Sequence, residues 1–466
     1  MVVKVTDQLT TLHACVFGWC FRNAELSVKE FRMKPKISFL IGSGFSIPEG
    51  IPGVREVNEK LANLKAKNLN VHTDLRAFLV EDSDVSQDYF HGVDRVFYQD
   101  FTEFYVTKLQ GEGRPFHYED FYDYFIRYLY FGENKAEIES FYAGFVSKNF
   151  ADPDKAQDCH QMLHSFETTF AQILAEMLSR AKYYEAISYS GYPPYHVFTN
   201  LLWCLSEKSD VKVHSLNHDV FFEFLFGQGA NVFTRFTDGF ELAGSPYYGK
   251  LNRDLEHSDG RRLTMSYWVK LAHFTNNFDK PISLFKLHGS VGTKLVYHNA
   301  QNPDTNELNP YTDSVFIKTQ YAVSDCFVEH KDPATGKMRF AGLHDQVAPL
   351  YLSGTTMKEN YYGEPYYAPM FEHFKNNLAD SELLIVTGYG FGDRGINKYL
   401  EENYLSLGKK WIIIDPFKPK SDLLTKYNAV IVEKGITDVT LNEFKQLIPD
   451  NLVTWPSVKS PYDMTF

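Results

Sequence analysis

Short unbroken runs of branched apolar residues, set between longer stretches of helical period, organise this chain. The first run, Ile37-Ser-Phe-Leu-Ile41, passes directly into Gly42-Ser43-Gly44, and helical residues follow from about Arg55. Lys212 to Leu216 reads as a second strand, ending in Asn217-His218-Asp219. Ile282 to Leu287 reads as a third, ending in His288-Gly289-Ser290. Further on, Leu383 to Thr387 runs into Gly388-Tyr389-Gly390, Trp411 to Ile414 stops at Asp415-Pro416, and Ala429 to Val432 is a last strand. Helices are expected between these at Ile396 to Leu405 and Leu423 to Asn428. Strands buried on both faces read as continuous Ile, Val and Leu, and strands alternating with helices form parallel sheets. The pattern therefore predicts an α/β fold: a Rossmann-like parallel sheet covered by helices.

Between the first two strands the period changes. Residues 55–210 read as mostly helical. Leu61 and Leu64 lie at helical spacing in Val57 to Leu69. Phe121, Phe125, Tyr128 and Leu129 do so in Phe116 to Phe131, and Phe166, Phe170, Ile173, Leu174 and Met177 in Phe166 to Ala186. Aromatic stripes at this spacing predict helix faces packed into a core. The expected organisation is an N-terminal arm at 1–34, suited to docking on a neighbouring subunit, then a main domain at 35–435 and a C-terminal extension at 436–466. The main domain carries a large helical insertion at about 60–210 and a smaller second insertion at about 227–281. Residues 298–314 and His330 to Lys337 are polar and turn-rich, and read as loops.

Composition narrows the function. The net charge of −12 argues against direct nucleic-acid binding, which needs a basic face to neutralise phosphate. Five scattered cysteines with no Cys-x-x-Cys pair predict reduced thiols in a cytoplasmic protein and no structural zinc ribbon. The apolar run Ala14 to Phe21 is too short to span a bilayer, and no membrane association is expected.

The chemistry gathers at the strand ends. In an open α/β sheet, ligands bind beyond the carboxyl ends of the strands. A site there would assemble Ser43, Asn217, Asp219, His288, Ser290 and Gly388. Strand, glycine turn and helix is also the geometry that brings backbone N–H groups to a phosphate, with Gly42 and Gly44 removing Cβ atoms at the close approach. Each feature has a plainer reading. The glycine turn can be only a turn, Asn217 a strand-end cap, His288 a buried structural imidazole, and Arg55 a solvated first-turn residue. The run Gly388 to Asp393 can be a turn whose aspartate caps the next helix.

In order along the chain, Gly42-Ser-Gly44 with Ser46, Gly50-Ile-Pro52 and Arg55, then Ser215-Leu-Asn217-His-Asp219, then Lys286-Leu-His288-Gly-Ser290, then Gly388-Tyr-Gly390, resemble the motifs of the sirtuin (silent-information-regulator) family. The resemblance implies an NAD-binding fold with NAD as substrate. It makes Asn217, His288 and Asp219 the catalytic group. Gly42, Ser43, Gly44, Ser46, Arg55, Ser290, Gly388, Phe391 and Asp415 would hold the dinucleotide. The chain departs from the family pattern at Gly53, Val54 and Leu216, and it lacks the four zinc cysteines of protein deacylases, so no zinc is expected. In this it is more similar to the antiphage branch, whose members hydrolyse NAD outright. The resemblance thus implies an NAD+ hydrolase releasing nicotinamide and ADP-ribose in abortive infection. It implies a homo-oligomer, and a separately encoded partner such as a HerA-type ATPase or a short Argonaute. The alternatives are an NAD-dependent protein deacylase and a non-catalytic NAD or ADP-ribose sensor.

Overall fold

Lys36–Ile41 (β1) lies inside a seven-stranded parallel sheet whose other members are Asp210–Ser215 (β2), Phe236–Thr237 (β3), Ile282–Lys286 (β4), Ser381–Thr387 (β5), Lys410–Ile414 (β6) and Val430–Val432 (β7). The order is β7-β6-β5-β1-β2-β4-β3. This computed structural model describes residues 34–71, 77–79, 92–179, 193–227, 235–256, 262–297, 314–319, 323–332, 335–345, 351 and 357–455. The expected N-terminal arm up to residue 33, the loop over 298–313 and the end of the helix expected to reach Ala186 lie outside the described residues.

Successive residues of β1 point to opposite faces, as strand geometry requires. Ile37, Phe39 and Ile41 enter one core with Val211, Val213, Leu284 and Ile385. His196–Lys208 (α6), Phe221–Gly227 (α7) and the helix Leu441–Leu447 cover that face. Leu40 enters the other core with Phe285, Leu384, Val386 and Ile413, under Tyr367–Asp380 (α8) and Arg394–Asn403 (α9). With helices on both faces this is a doubly covered, Rossmann-like α/β sheet. The strands follow the expected runs to within two residues.

The helical stretch after β1 comprises Val54–Ala62 (α1), Gly92–Gly111 (α2), Tyr118–Phe131 (α3), Lys135–Asn149 (α4) and Cys159–Ser179 (α5). Its aromatic stripes meet in a core of their own, where Phe101, Phe121, Phe125 and Phe166 are fully buried. The helix expected at Val57 to Leu69 stops at Ala62, and Leu69–Val71 pairs instead with Ala77–Leu79 as a small hairpin.

The region expected as one insertion at 227–281 is built differently. Phe236–Thr237 is the edge strand of the main sheet. Gly239–Glu241 and Ala272–Asn277 join Thr293–Tyr297, Ser314–Lys318 and His344–Asp345 in a five-stranded antiparallel sheet. Tyr247–Glu256 and Arg262–Lys270 pair with Val323–Lys331 and Met338–Gly342 in a four-stranded one. Both sheets draw strands from either side of β4. Such pairing between distant segments leaves no local mark in the sequence. No described helix is long and apolar enough to cross a membrane.

Candidate functional site

Parallel register sets the site. Ile41 is level with Thr387 on one side and Ser215 on the other, and Ser215 is level with Lys286. Four adjacent strands therefore end at one height, and the residues after them form a continuous rim. The order places β2 on one side of β1 and β5 on the other, so the chain reverses its direction of winding there, the place where open sheets bind ligands. A cavity of about 390 Å³ opens at this rim. Gly42, Ser43, Asn217, Asp219, His288 and Gly388 all line it.

The glycines do more than approach a ligand. A Cβ on Gly42 would lie 2.5 Å from the carbonyl oxygen of Gly388, and one on Gly388 would lie 2.2 Å from the backbone nitrogen of Phe45. Gly44 N–H donates to Gly388 O at 3.0 Å, and Gly388 has φ +64°. Absence of side chains lets these two turns pack against each other. Gly390 and Gly392, which also line the cavity, have open space where a Cβ would be. Behind the turns, Phe45 is enclosed by Tyr195, Phe198, Phe221 and Phe222.

Asn217 is held by Ser46, whose hydroxyl accepts from Nδ2 at 3.1 Å. Its Oδ1 is buried without a protein partner, so the acceptor end of the amide is what remains for a ligand. Asp219 accepts from Phe221 N–H at 2.9 Å, and its own carbonyl accepts from Lys286 Nζ. Burial pushes the Asp219 carboxyl above its ordinary range, opposed by the Lys286 charge.

His288 is buried, with Nε2 3.5 Å from Asp393 Oδ2. Burial holds its imidazole well below the usual histidine range, and the nearby Lys358 charge lowers it further. His218, 6.1 Å away between ring centres, is also driven down, by burial first and then by the positive charge of its neighbours. Both rings are thus kept neutral.

Five other predicted residues, besides Gly44, do not line the cavity. Ser46 acts on Asn217. The Ser290 hydroxyl accepts from Gly292 N–H inside its own loop. The Arg55 side chain is 94% exposed and faces Glu59, because it lies on the outer side of the first turn of α1. Phe391, at φ +60°, is buried against Tyr389 and Trp411. Asp415 accepts from Phe417 N–H in a local turn.

The structure adds residues that the sequence reading did not single out: His117, Tyr118 and Glu119 at the start of α3, Lys358 from the turn Met357–Tyr361, and Asp393 in a new role. Lys358 Nζ is 2.8 Å from Asp393 Oδ2 and 3.6 Å from Glu119 Oε2, with only 6% of its side chain exposed. Burial alone would lower the Lys358 ammonium, but the two carboxylates outweigh it and hold it above its ordinary value. Burial raises Glu119, with Lys358 opposing. Asp393 also caps α9, accepting from Ile396 N–H at 3.0 Å, which is the plainer role its position predicted.

The fold and cleft define an α/β protein with a buried polar pocket at the reversal point of its sheet. No protein-family model matches the chain, and no curated protein matches its sequence. Among solved structures it is similar to a Sir2 homolog–NAD complex, at 11% identity over 89% of this chain and 90% of that one, with a TM-score of 0.35. It is similar also to a mutant Sir2 homologue with 2′-O-acetyl-ADP-ribose, at 11% identity over 89% and 92%, TM-score 0.32. A structure titled for the mechanism and regulation of Sir2 enzymes matches at 11% over 89% and 94%, TM-score 0.29. Likeness at this level assigns no activity to the chain.

Proposed function

We propose that the chain is an NAD+ glycohydrolase and that the rim cavity is its active site. The observation that carries this reading is the meeting of Asn217 and His288, 71 residues apart in sequence (288 − 217), in one cavity where each keeps a buried polar atom without a protein partner. The order of the sequence motifs supports NAD as the substrate.

In the proposed reaction the bond between ribose C1′ and the nicotinamide ring nitrogen breaks. Both electrons go to the nitrogen, so the pyridinium leaves as neutral nicotinamide and needs no proton. The ribose passes through an oxocarbenium-like state, as in glycoside hydrolysis. Water adds to C1′, held by Asn217 Oδ1. The proton it sheds is taken up by neutral His288, directly or through a ribose hydroxyl, and passes to solvent. Asp219 would accept from the nicotinamide carboxamide. Ser43, with the open glycines Gly390 and Gly392, would border the phosphates.

In this reading the protein is a cytoplasmic effector of antiphage defence, acting as a homo-oligomer with a separately encoded partner. Nicotinamide and ADP-ribose should appear in equal amounts when the purified protein, alone and with its genomic neighbour's product, is given NAD+. Product formed only with an acylated lysine peptide would indicate a deacylase. Saturable binding without turnover under every condition would indicate a sensor. Either outcome rejects the hydrolase.

A further inference from the structure

One carboxylate oxygen stands between two side chains that can carry positive charge. Asp393 Oδ2 lies 2.8 Å from Lys358 Nζ and 3.5 Å from His288 Nε2. Asp393 is 8% exposed, and Lys358 and His288 are each 6% exposed. The other edge of the His288 ring bonds to the backbone of Leu216. Nε2 has no hydrogen-bond partner among the described residues, so it is the lone pair that takes up the proton in the proposed reaction.

That lone pair is free only while the carboxylate is engaged elsewhere. An unshared carboxylate this close to a buried imidazole favours the protonated ring. With Nε2 protonated, the ring is a donor at both nitrogens and can accept nothing. The surroundings oppose this outcome. Asp393 Oδ1 accepts from Ile396 N–H at the head of α9, which leaves Oδ2 for a cation. The Lys358 ammonium holds Oδ2 at the shorter distance, and its own charge resists a second positive charge on the ring. Glu119 Oε2, from the start of α3, stands 3.6 Å from Lys358 Nζ and braces it from the other side.

We propose that Lys358 is a positioning residue that keeps Asp393 as its own partner and so leaves Nε2 of His288 an unprotonated acceptor. Asp393 is then a carboxylate that would silence the base if Lys358 were withdrawn. The proposal rests on the hydrolase reading for the use made of Nε2, whereas the competition for Oδ2 needs no substrate. Among the described residues, the other titratable groups around His288 and its neighbour His218 are Asp219 after β2, Lys286 on β4, and His117 and Glu119 at the start of α3. The test alters none of these.

Full-length protein is compared as wild type, Lys358→Met, Asp393→Asn and the double variant. Histidine rings carry 13C, and the His288 signal is identified by its loss in His288→Gln. An NMR titration without substrate then reads the ring directly. In Lys358→Met, His288 should titrate about 1–3 pH units higher than in wild type. Adding Asp393→Asn should abolish most of that rise, because the lysine acts through the carboxylate. Lys358→Arg keeps the charge and should keep the wild-type behaviour. Lys358→Gln retains a donor for Oδ2, serves if the methionine variant does not fold, and should shift the ring in the same direction.

The acidic limb of kcat/KM for NAD+ should move upward with the ring, so that raising the pH restores activity to Lys358→Met. A merely structural loss would not be restored in this way. An unmoved His288 titration in the lysine variants, or a rise that persists undiminished in the double variant, would overturn the proposal and leave NAD+ hydrolysis standing. A shifted ring in protein that never cleaves NAD+ would reject the hydrolase and keep the control of His288 by Lys358 and Asp393.

Discussion

Ser46 and Asn217 show how one hydrogen bond can prepare a site. The hydroxyl takes one N–H of the amide, while Oδ1 has no protein partner and stands as an acceptor in the cavity. Ser46→Ala should lower kcat for nicotinamide release by about 10-fold, with a stability loss of only about 1 kcal/mol, checked by steady-state kinetics and denaturant titration. His288 carries a second expectation. Its pKa lies well below the ordinary value, so it remains a neutral acceptor as pH falls through 6.5. The acidic limb of kcat/KM should therefore lie below pH 6.5. Asn217 and His288 were legible in the sequence because each directly follows a strand, and the parallel sheet brings strand ends together. Lys358 was not. It lies in a stretch without hydrophobic period, and its position depends on carboxylates from α3 and from the turn before α9. Arg55 lies away from the cavity for the converse reason: a motif fixes its distance from the glycine turn but not which side of α1 it faces.

At the scale of elements, the two glycine turns after β1 and β5 work as one unit. Gly388→Ala would place a Cβ against Phe45 N in a left-handed backbone, and should cost at least about 1–3 kcal/mol, read as a lowered Tm together with lost activity. The helical insertion is stabilised by its own rings. Phe121 is fully buried among Phe101, Phe125, Phe166 and Phe170, and Phe121→Ala should cost about 3–5 kcal/mol in denaturant titration. These elements were readable because period and burial agree: Phe39 and Leu40 alternate across β1, and the stripe on α3 repeats every three or four residues. The antiparallel sheets were not, because each is joined across the intervening β4, where Ala272–Asn277 meets Ser314–Lys318 and Tyr247–Glu256 meets Val323–Lys331.

At the scale of the whole molecule, the buried histidines His214, His218 and His288, among the described residues, are held below their ordinary pKa, in each case mainly by burial. In the unfolded chain they bind protons near pH 6.5, whereas in the fold they do not. The unfolded state therefore gains protons first as pH falls, and stability present above about pH 6.5 is lost below it. Each histidine contributes up to about 1.4 kcal/mol per pH unit in that window. Asp219 and Glu119, whose values are raised, act in the opposite sense at more acidic pH, where protonating them relieves their burial. Tm should fall between pH 7.5 and 5.5, and His214→Phe should flatten the slope. His214 stacks between Phe285 and Phe374 under α8, away from the cavity, so that substitution leaves the proposed chemistry untouched.

The central claim is that Asn217 and His288 act on one bound dinucleotide at the rim of the sheet. Nicotinamide release by the activated wild-type protein, compared with Asn217→Ala and His288→Ala, tests it most directly. Each substitution is predicted to lower the rate by about 100-fold or more with the fold intact. Undiminished release in both variants would contradict the account.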